Sequence, residues 1–210
     1  MEYLALKFDI VNSRRLPHRD RVQREFLMLA EDINRRFTHV LAAKFIVTHG
    51  DEAQALLNKE DAPEAYRIYE YLTIAMRTAS LRCGVGLGTL STDIQDEAIG
   101  MDGTAWQNAG AALETAKSKR RAICFQGFEP AFQLHLNALG NLLCYIQSRW
   151  TREQVEVIRL LAECSSQKEI AARLGVSEAA VSKRLKASGW QYYYEGRTAL
   201  ELLLKQAAVR

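Results

Sequence analysis

The chain has no C-x-x-C pair, no histidine at ligand spacing from a cysteine, no long apolar run and almost no excess of charge. Each absence excludes something. Its four cysteines, Cys83, Cys124, Cys144 and Cys164, are widely spaced; that argues against a structural zinc and suits small core residues in a reducing cytoplasm. The opening "MEYLALKFDIVNSRR" meets an acid at Glu2 and holds no apolar core of the signal-peptide kind. No segment approaches the roughly 18 apolar residues of a membrane-spanning helix, so no membrane partner is expected. Internal repeats and low-complexity tracts are also missing. What is present is a 210-residue chain with 48% hydrophobic residues, enough to bury a proper core as one large domain or as a medium and a small one.

The net charge of +3 is unevenly placed: residues 1–150 carry 18 Lys/Arg against 18 Asp/Glu, and residues 151–210 carry 10 against 7. A basic tail region beside a neutral larger one points toward nucleic acid.

"EYLALKFDIV" has the β-branched and aromatic content of a strand. Apolar residues Val22, Phe26, Leu29, Ile33 and Phe37 recur at helical spacing over 19–37. "KFIVTHGDEAQALL" (44–57) reads as a hairpin, with Gly50 free to take positive φ at the tip. A second amphipathic helix follows over 62–80. "LRCGVGLGTL" is a strand whose glycines point to a backbone or ligand close by. A small-residue helix, "GTAWQNAGAALETAKS", and a short strand, "RAICFQG", complete the order β-α-β-β-α-β-α-β. This predicts an α+β domain with an antiparallel sheet over residues 1–128, a connecting helix over 129–150, and a small all-α domain over 151–210.

Asp9 closes the first strand and Asp51 sits on the hairpin tip. If those strands are neighbours, two carboxylates meet at one end of the sheet, where the carbonyl of Ile10 can join them. Paired hard oxygen ligands, completed by phosphate, are how Mg²⁺ is commonly held, and a pair of ions would favour phosphoryl or nucleotidyl transfer. The plainer reading is a solvated turn. Glu52 is either a third ligand or a strand-edge acid, and His49 is read as a turn residue ahead of a ligand. Arg14, Arg15, Arg19, Arg21 and Arg24 either grip phosphate or form a solvated helix face paired with Asp20 and Glu25.

These segments carry a family resemblance. "LALKFDIVNS" resembles the metal-binding first strand of class III nucleotidyl cyclases, and "KFIVTHGDEAQALL" is similar to both the cyclase hairpin and the GGDEF segment of diguanylate cyclases. "RCGVGLGTLS" and "AWQNAGAALETA" resemble the later strand and helix. With its C-terminal DNA-reader-like segment, the whole resembles the SatD family. The resemblance implies a cyclase/GGDEF-like palm with a metal at Asp9, Asp51 and Glu52, and a nucleotide near Ile10, Ser13, Arg14, Arg15, Gly50 and Asn108. Two departures stand out: Ala112 takes the place of the arginine that follows the asparagine by one turn in cyclases, and Val47 stands where cyclases carry a base-reading lysine. Loss of a cation aimed at a transferring phosphoryl removes most turnover, so a sensory nucleotide-binding domain is favoured over an active cyclase.

"TREQVEVIRLLAECSSQKEIAARLGVSEAAVSKRLKASGW" is the most informative stretch. Thr151 and Gln154 form a capping box. Ser166 and Ser177 cap two further helices, and Gly175 makes the tight turn between them. The pattern resembles the helix-turn-helix of bacterial regulators and sigma-factor-like domains. In such modules the third helix enters the major groove, which assigns Glu178, Ala179 and Ser182 to bases and Ser177, Lys183, Arg184 and Lys186 to the surrounding contacts. "WQYYYEGR" is expected as a short strand or wing, followed by an amphipathic helix over 198–207. The combined expectation is a cytoplasmic, homodimeric bacterial transcription regulator that binds duplex DNA and senses a nucleotide or Mg²⁺. The alternative is an Mg²⁺-dependent nucleotide cyclase or hydrolase.

Overall fold

The computed structural model describes residues 1–48 and 50–209; His49, weighed above as a metal ligand, lies outside the described residues. Five strands, β1 (Glu2–Ile10), β2 (Leu41–Val47), β3 (Glu52–Asn58), β4 (Leu81–Thr89) and β5 (Ile123–Gln126), form one sheet in the order β2-β3-β1-β4-β5. Helix α1 (Arg19–Arg36) joins β1 to β2, α2 (Ala62–Ala75) joins β3 to β4, and α3 (Thr104–Ser118) joins β4 to β5. The pairs β1–β3, β1–β4 and β2–β3 are antiparallel, but β5 runs parallel to β4. The sheet is therefore mixed, which corrects the antiparallel expectation. The reason is the α3 crossover: a helix of this length carries the chain back along the sheet, so the next strand starts from the same end.

Side chains alternate across the strands. Leu4, Leu6, Phe8 and Ile10 of β1 are buried on one face, where Phe8 meets Phe45 of β2 at a ring distance of 5.4 Å and Phe45 meets Phe26 of α1 at 6.3 Å. Tyr3, Ala5, Lys7 and Asp9 line the opposite face, in register with Gly88, Gly86, Gly84 and Arg82 of β4. Helix α3 lies directly on that row of glycines. A Cβ added at Gly84 or Gly86 would fall 2.3 or 2.2 Å from the backbone of Ala109. The glycine-laced strand thus accommodates a helix backbone.

Both outer strands are closed by asparagine side chains. Asn34 of α1 accepts from Phe45 N at 2.8 Å and donates to Phe45 O at 2.9 Å. On the other edge Asn137, on helix α4 (Pro130–Ser148), accepts from Phe125 N at 3.0 Å and donates to Phe125 O at 2.9 Å. Asn141 donates to Ile123 O at 2.8 Å. Edge groups that would otherwise offer themselves to another strand are thereby satisfied.

The described chain divides into two compact units, Met1–Asn141 with Leu200–Arg210, and Leu142–Ala199. In the second, α5 (Arg152–Leu160), α6 (Gln167–Leu174) and α7 (Glu178–Ser188) enclose Val157, Ile170, Ala171 and Val181. Both halves of the Thr151–Gln154 capping box form, Ser166 and Ser177 accept from Glu169 N and Ala180 N, and Gly175 turns the chain at φ 64. The expected wing is absent: residues 190–209 are one helix, α8 (Trp190–Val209). Its aromatic start packs on a ring cluster, with Tyr193 4.7 Å from Trp150 and 5.6 Å from Trp190. That packing overrides the strand propensity of "WQYYY".

Candidate functional site

The period of β1 turns Asp9 toward the α3 face, with Glu52 of β3 and Arg82 of β4 in register on either side. Its carboxylate is largely buried, at 14% exposure, and each oxygen faces a cation. Arg82 Nη1 lies 3.4 Å from Oδ2, and Lys117 Nζ lies 3.6 Å from Oδ1. Lys117, from the last turn of α3, also reaches Glu114 at 3.2 Å. Burial opposes the charge on Lys117, but Glu114, Asp9 and Glu52 outweigh it and raise the ammonium above its ordinary range.

The hairpin tip meets the end of β1 through its backbone, Ile10 N donating to Asp51 O at 2.9 Å. Gly50 takes φ 79 there, a conformation glycine adopts at little cost. The Asp51 carboxylate accepts from Ser13 Oγ at 2.6 Å. A cleft of about 250 Å³ opens beside this pair, between Leu16, Asp20 and Gln23. Arg14 and Arg15 sit exposed on a short 3-10 turn, Ser13–Arg15. Arg24 pairs with Asp20 at 2.6 Å, but Glu25 does not join the arginines. It accepts instead from Arg77 N and Thr78 N, both at 3.0 Å, and so fastens α1 to the loop before β4.

Asp9, Ile10, Ser13, Gly50, Asp51 and Glu52 therefore gather at one end of the sheet, and Asn108 does not. Its amide donates to Leu87 O at 2.8 Å, and Leu87 lies five residues along β4 from Arg82, about 17 Å at strand rise. Ala112, one turn further along α3, is 1% exposed and packs with Ala116 and Cys124.

Sequence reasoning missed the cations. Arg82, Arg120 and Arg121 line a cleft of about 440 Å³ with Asn12 and Ser80, next to the Asp9 cluster. The run "KSKRR" (117–121) that ends α3 was the available signal. Among the described residues no three of His, Cys, Asp and Glu come together as a metal site. With a cation facing each oxygen of Asp9 and no third ligand grouped with it, the side chains as arranged do not fit Mg²⁺.

In the helical unit, Ser177, Glu178, Ala179, Ser182, Lys183 and Lys186 are exposed and Arg184 is half-buried, outside the core residue Val181. Of the assigned base and phosphate residues, all but the half-buried Arg184 thus lie exposed on α7.

The model of the SatD family matches residues 3–204. The chain belongs to the SatD family. No curated protein matches this SatD-family chain. Among solved structures it is similar to a bacterial light-regulated adenylyl cyclase, at 17% identity and a TM-score of 0.45 over 71% of this chain and 81% of that one. It is also similar to an EAL/GGDEF domain protein from M. capsulatus, at 20% identity and a TM-score of 0.39 over 61% and 86% of the two chains. A third is the guanylate cyclase domain from Catenaria anguillulae in complex with GTP, at 15% identity and a TM-score of 0.41 over 54% and 72%. Among the described residues of the SatD-family chain no helix is long and apolar enough to cross a membrane.

Proposed function

We propose that this SatD-family chain is a cytoplasmic DNA-binding regulator whose α/β unit binds a nucleotide. The observation that carries the reading is α7. It is capped by Ser177, anchored by buried Val181, and leaves Ser182, Lys183 and Lys186 exposed after a Gly175 turn. A helix so presented suits the major groove, with Glu178, Ala179 and Ser182 toward base edges and Lys183, Arg184 and Lys186 toward phosphates. The nucleotide is proposed at the β1 end of the sheet, where Ser13, Gly50 and Asp51 adjoin one cleft and Arg82, Arg120 and Arg121 line another. Arg14 and Arg15 stand near enough in sequence to Ser13 to serve its phosphates. Groove readers of this kind engage paired half-sites, and a homodimer is proposed on that ground; exposed Leu134, Leu142 and Tyr145 of α4 are consistent with one.

Fluorescence anisotropy with labelled duplexes tests this. Binding should weaken steeply with salt, and Lys183→Glu with Arg184→Glu should abolish it at moderate salt. Neutralising the same two positions should lower the salt slope by about two. Equal binding by wild type and the reversed variant would refute the groove assignment.

The second reading, a nucleotide cyclase or hydrolase, is favoured by the Ile10–Asp51 hydrogen bond, which brings the hairpin tip to the end of β1. Against it stand the cations on Asp9 and the buried Ala112 where a phosphate-stabilising arginine is needed. Mg²⁺-dependent turnover of any nucleoside triphosphate, lost in Asp51→Asn, would establish the enzyme instead.

A further inference from the structure

The end of β1 carries its own counter-ions. We infer that the cleft beside Asp9 takes a polyphosphate ligand without a divalent cation, Arg82 and Lys117 standing where a metal would otherwise be required. The inference rests on the nucleotide-binding reading above and deepens it.

The charges decide the matter. Asp9 and Glu52 lie in register on adjacent strands, and the largely buried Asp9 carboxylate beside a second acid favours a proton, a metal or a basic partner. Basic partners are present: Arg82 at 3.4 Å from one oxygen of Asp9 and Lys117 at 3.6 Å from the other. A magnesium ion demands several oxygen ligands in near-octahedral array, and whichever oxygen of Asp9 it took would already face a guanidinium or an ammonium. It would then sit beside Arg82, in whose cleft Arg120 and Arg121 add two further cations. Like charges so placed repel.

A polyphosphate meets the opposite situation. Arg82 offers donors beyond those turned to Asp9, and the exposed guanidiniums of Arg120 and Arg121 present forks that match phosphate oxygens. Arg120 is held at φ 52 and Asn12, which also lines the cleft, at φ 56. Left-handed backbone is unusual for an arginine, and here it occurs on the cleft wall. The chemistry that remains is binding, with no bond made or broken.

Calorimetry on the full chain tests the inference, with inorganic tripolyphosphate, ATP and GTP titrated first in EDTA and then in excess magnesium. Binding in EDTA should be as tight as in magnesium or tighter, because magnesium neutralises the oxygens that the guanidiniums grip. Lys117 is partly exposed, and Lys117→Met should fold normally by circular dichroism. That variant frees one oxygen of Asp9. Its affinity in EDTA should fall about tenfold, the scale of one charge-assisted hydrogen bond, and magnesium should restore part of the loss. Arg120→Ala with Arg121→Ala should lose about tenfold or more under both conditions. Wild-type binding that appears only with magnesium would overturn the inference and leave the nucleotide reading standing. No binding of any probe under either condition would overturn both. Unchanged affinity in both variants would remove the cleft from consideration.

Discussion

Each compact unit has charges that fasten its elements together and charges left for a partner, and α7 is the clearest case of the second kind. In the α/β unit, charged side chains turn toward one another: Asp9 to Arg82 and Lys117, Asp32 to Tyr71, Arg35 and Arg36, and Arg67 to Glu64 and Glu201 at 2.6 and 2.7 Å. Glu25 caps two backbone nitrogens. In the helical unit Arg173 also pairs with Glu163 and Glu169, but Lys183 and Lys186 stand exposed on α7. The contrast separates charges that fasten elements together from charges left for a partner. Removing one of the first kind should cost stability, and removing one of the second kind should cost only binding.

The largest effect belongs to the uncharged surface that lets α3 approach the sheet. Gly86→Val places a side chain where even a Cβ is 2.2 Å from Ala109 N. Overpacking at so fixed a contact should cost about 3 kcal/mol or more. Gly110, on the same helix, has nothing within 4 Å of an added Cβ, and Gly110→Ala should stabilise by about 0.5–1 kcal/mol through helix propensity. Urea unfolding of the two variants should move in opposite directions. A tolerated Gly86→Val would refute the close packing of α3 on β4.

A middle effect comes from Asp32. Partial burial pushes its carboxyl up, but hydrogen bonds from Tyr71, Arg35 and Arg36 outweigh that and hold it at about 2, below the ordinary 3.8. A depressed carboxyl stabilises the fold fully above its unfolded value and loses that contribution as pH falls from about 3.8 toward 2. The contribution is about 2 kcal/mol at most. Asp32→Asn should therefore be less stable than wild type at pH 7, and the gap should close toward pH 2. A constant gap across that range would detach Asp32 from the acid sensitivity.

The smallest effect on stability is expected at α7. Lys183→Glu with Arg184→Glu should shift unfolding by no more than about 0.5 kcal/mol, while its effect on DNA binding is the largest of all. Loss of stability comparable to the loss of binding would erase the distinction between the two units.

Much of this was legible in the sequence because periodicity is a local property. The strands, the helices and the caps at Thr151, Ser166 and Ser177 follow from spacing within a few residues, as does the Gly175 turn. The direction of β5 was not legible, since "RAICFQG" says nothing about which way it runs; the α3 crossover settles it. The helical form of 190–197 was hidden because the rings of Trp150, Trp190 and Tyr193 find one another only after folding. At the β1 end, Asp9 and Asp51 could be read from their motifs. Their partners could not: Arg82 is 73 residues from Asp9, and no local pattern links positions so distant. Asn108 was chosen by resemblance, and its amide is occupied by Leu87 O.

The most direct test of a nucleotide-responsive DNA-binding protein is the affinity of the full chain for duplex DNA, measured by anisotropy at fixed salt, in EDTA and in excess magnesium, with and without saturating ATP or GTP. A regulator should show Kd shifted by about fivefold or more with at least one nucleotide, the low end of ordinary coupling between sites. The same Kd in every condition, or no DNA binding at all, would contradict the proposal.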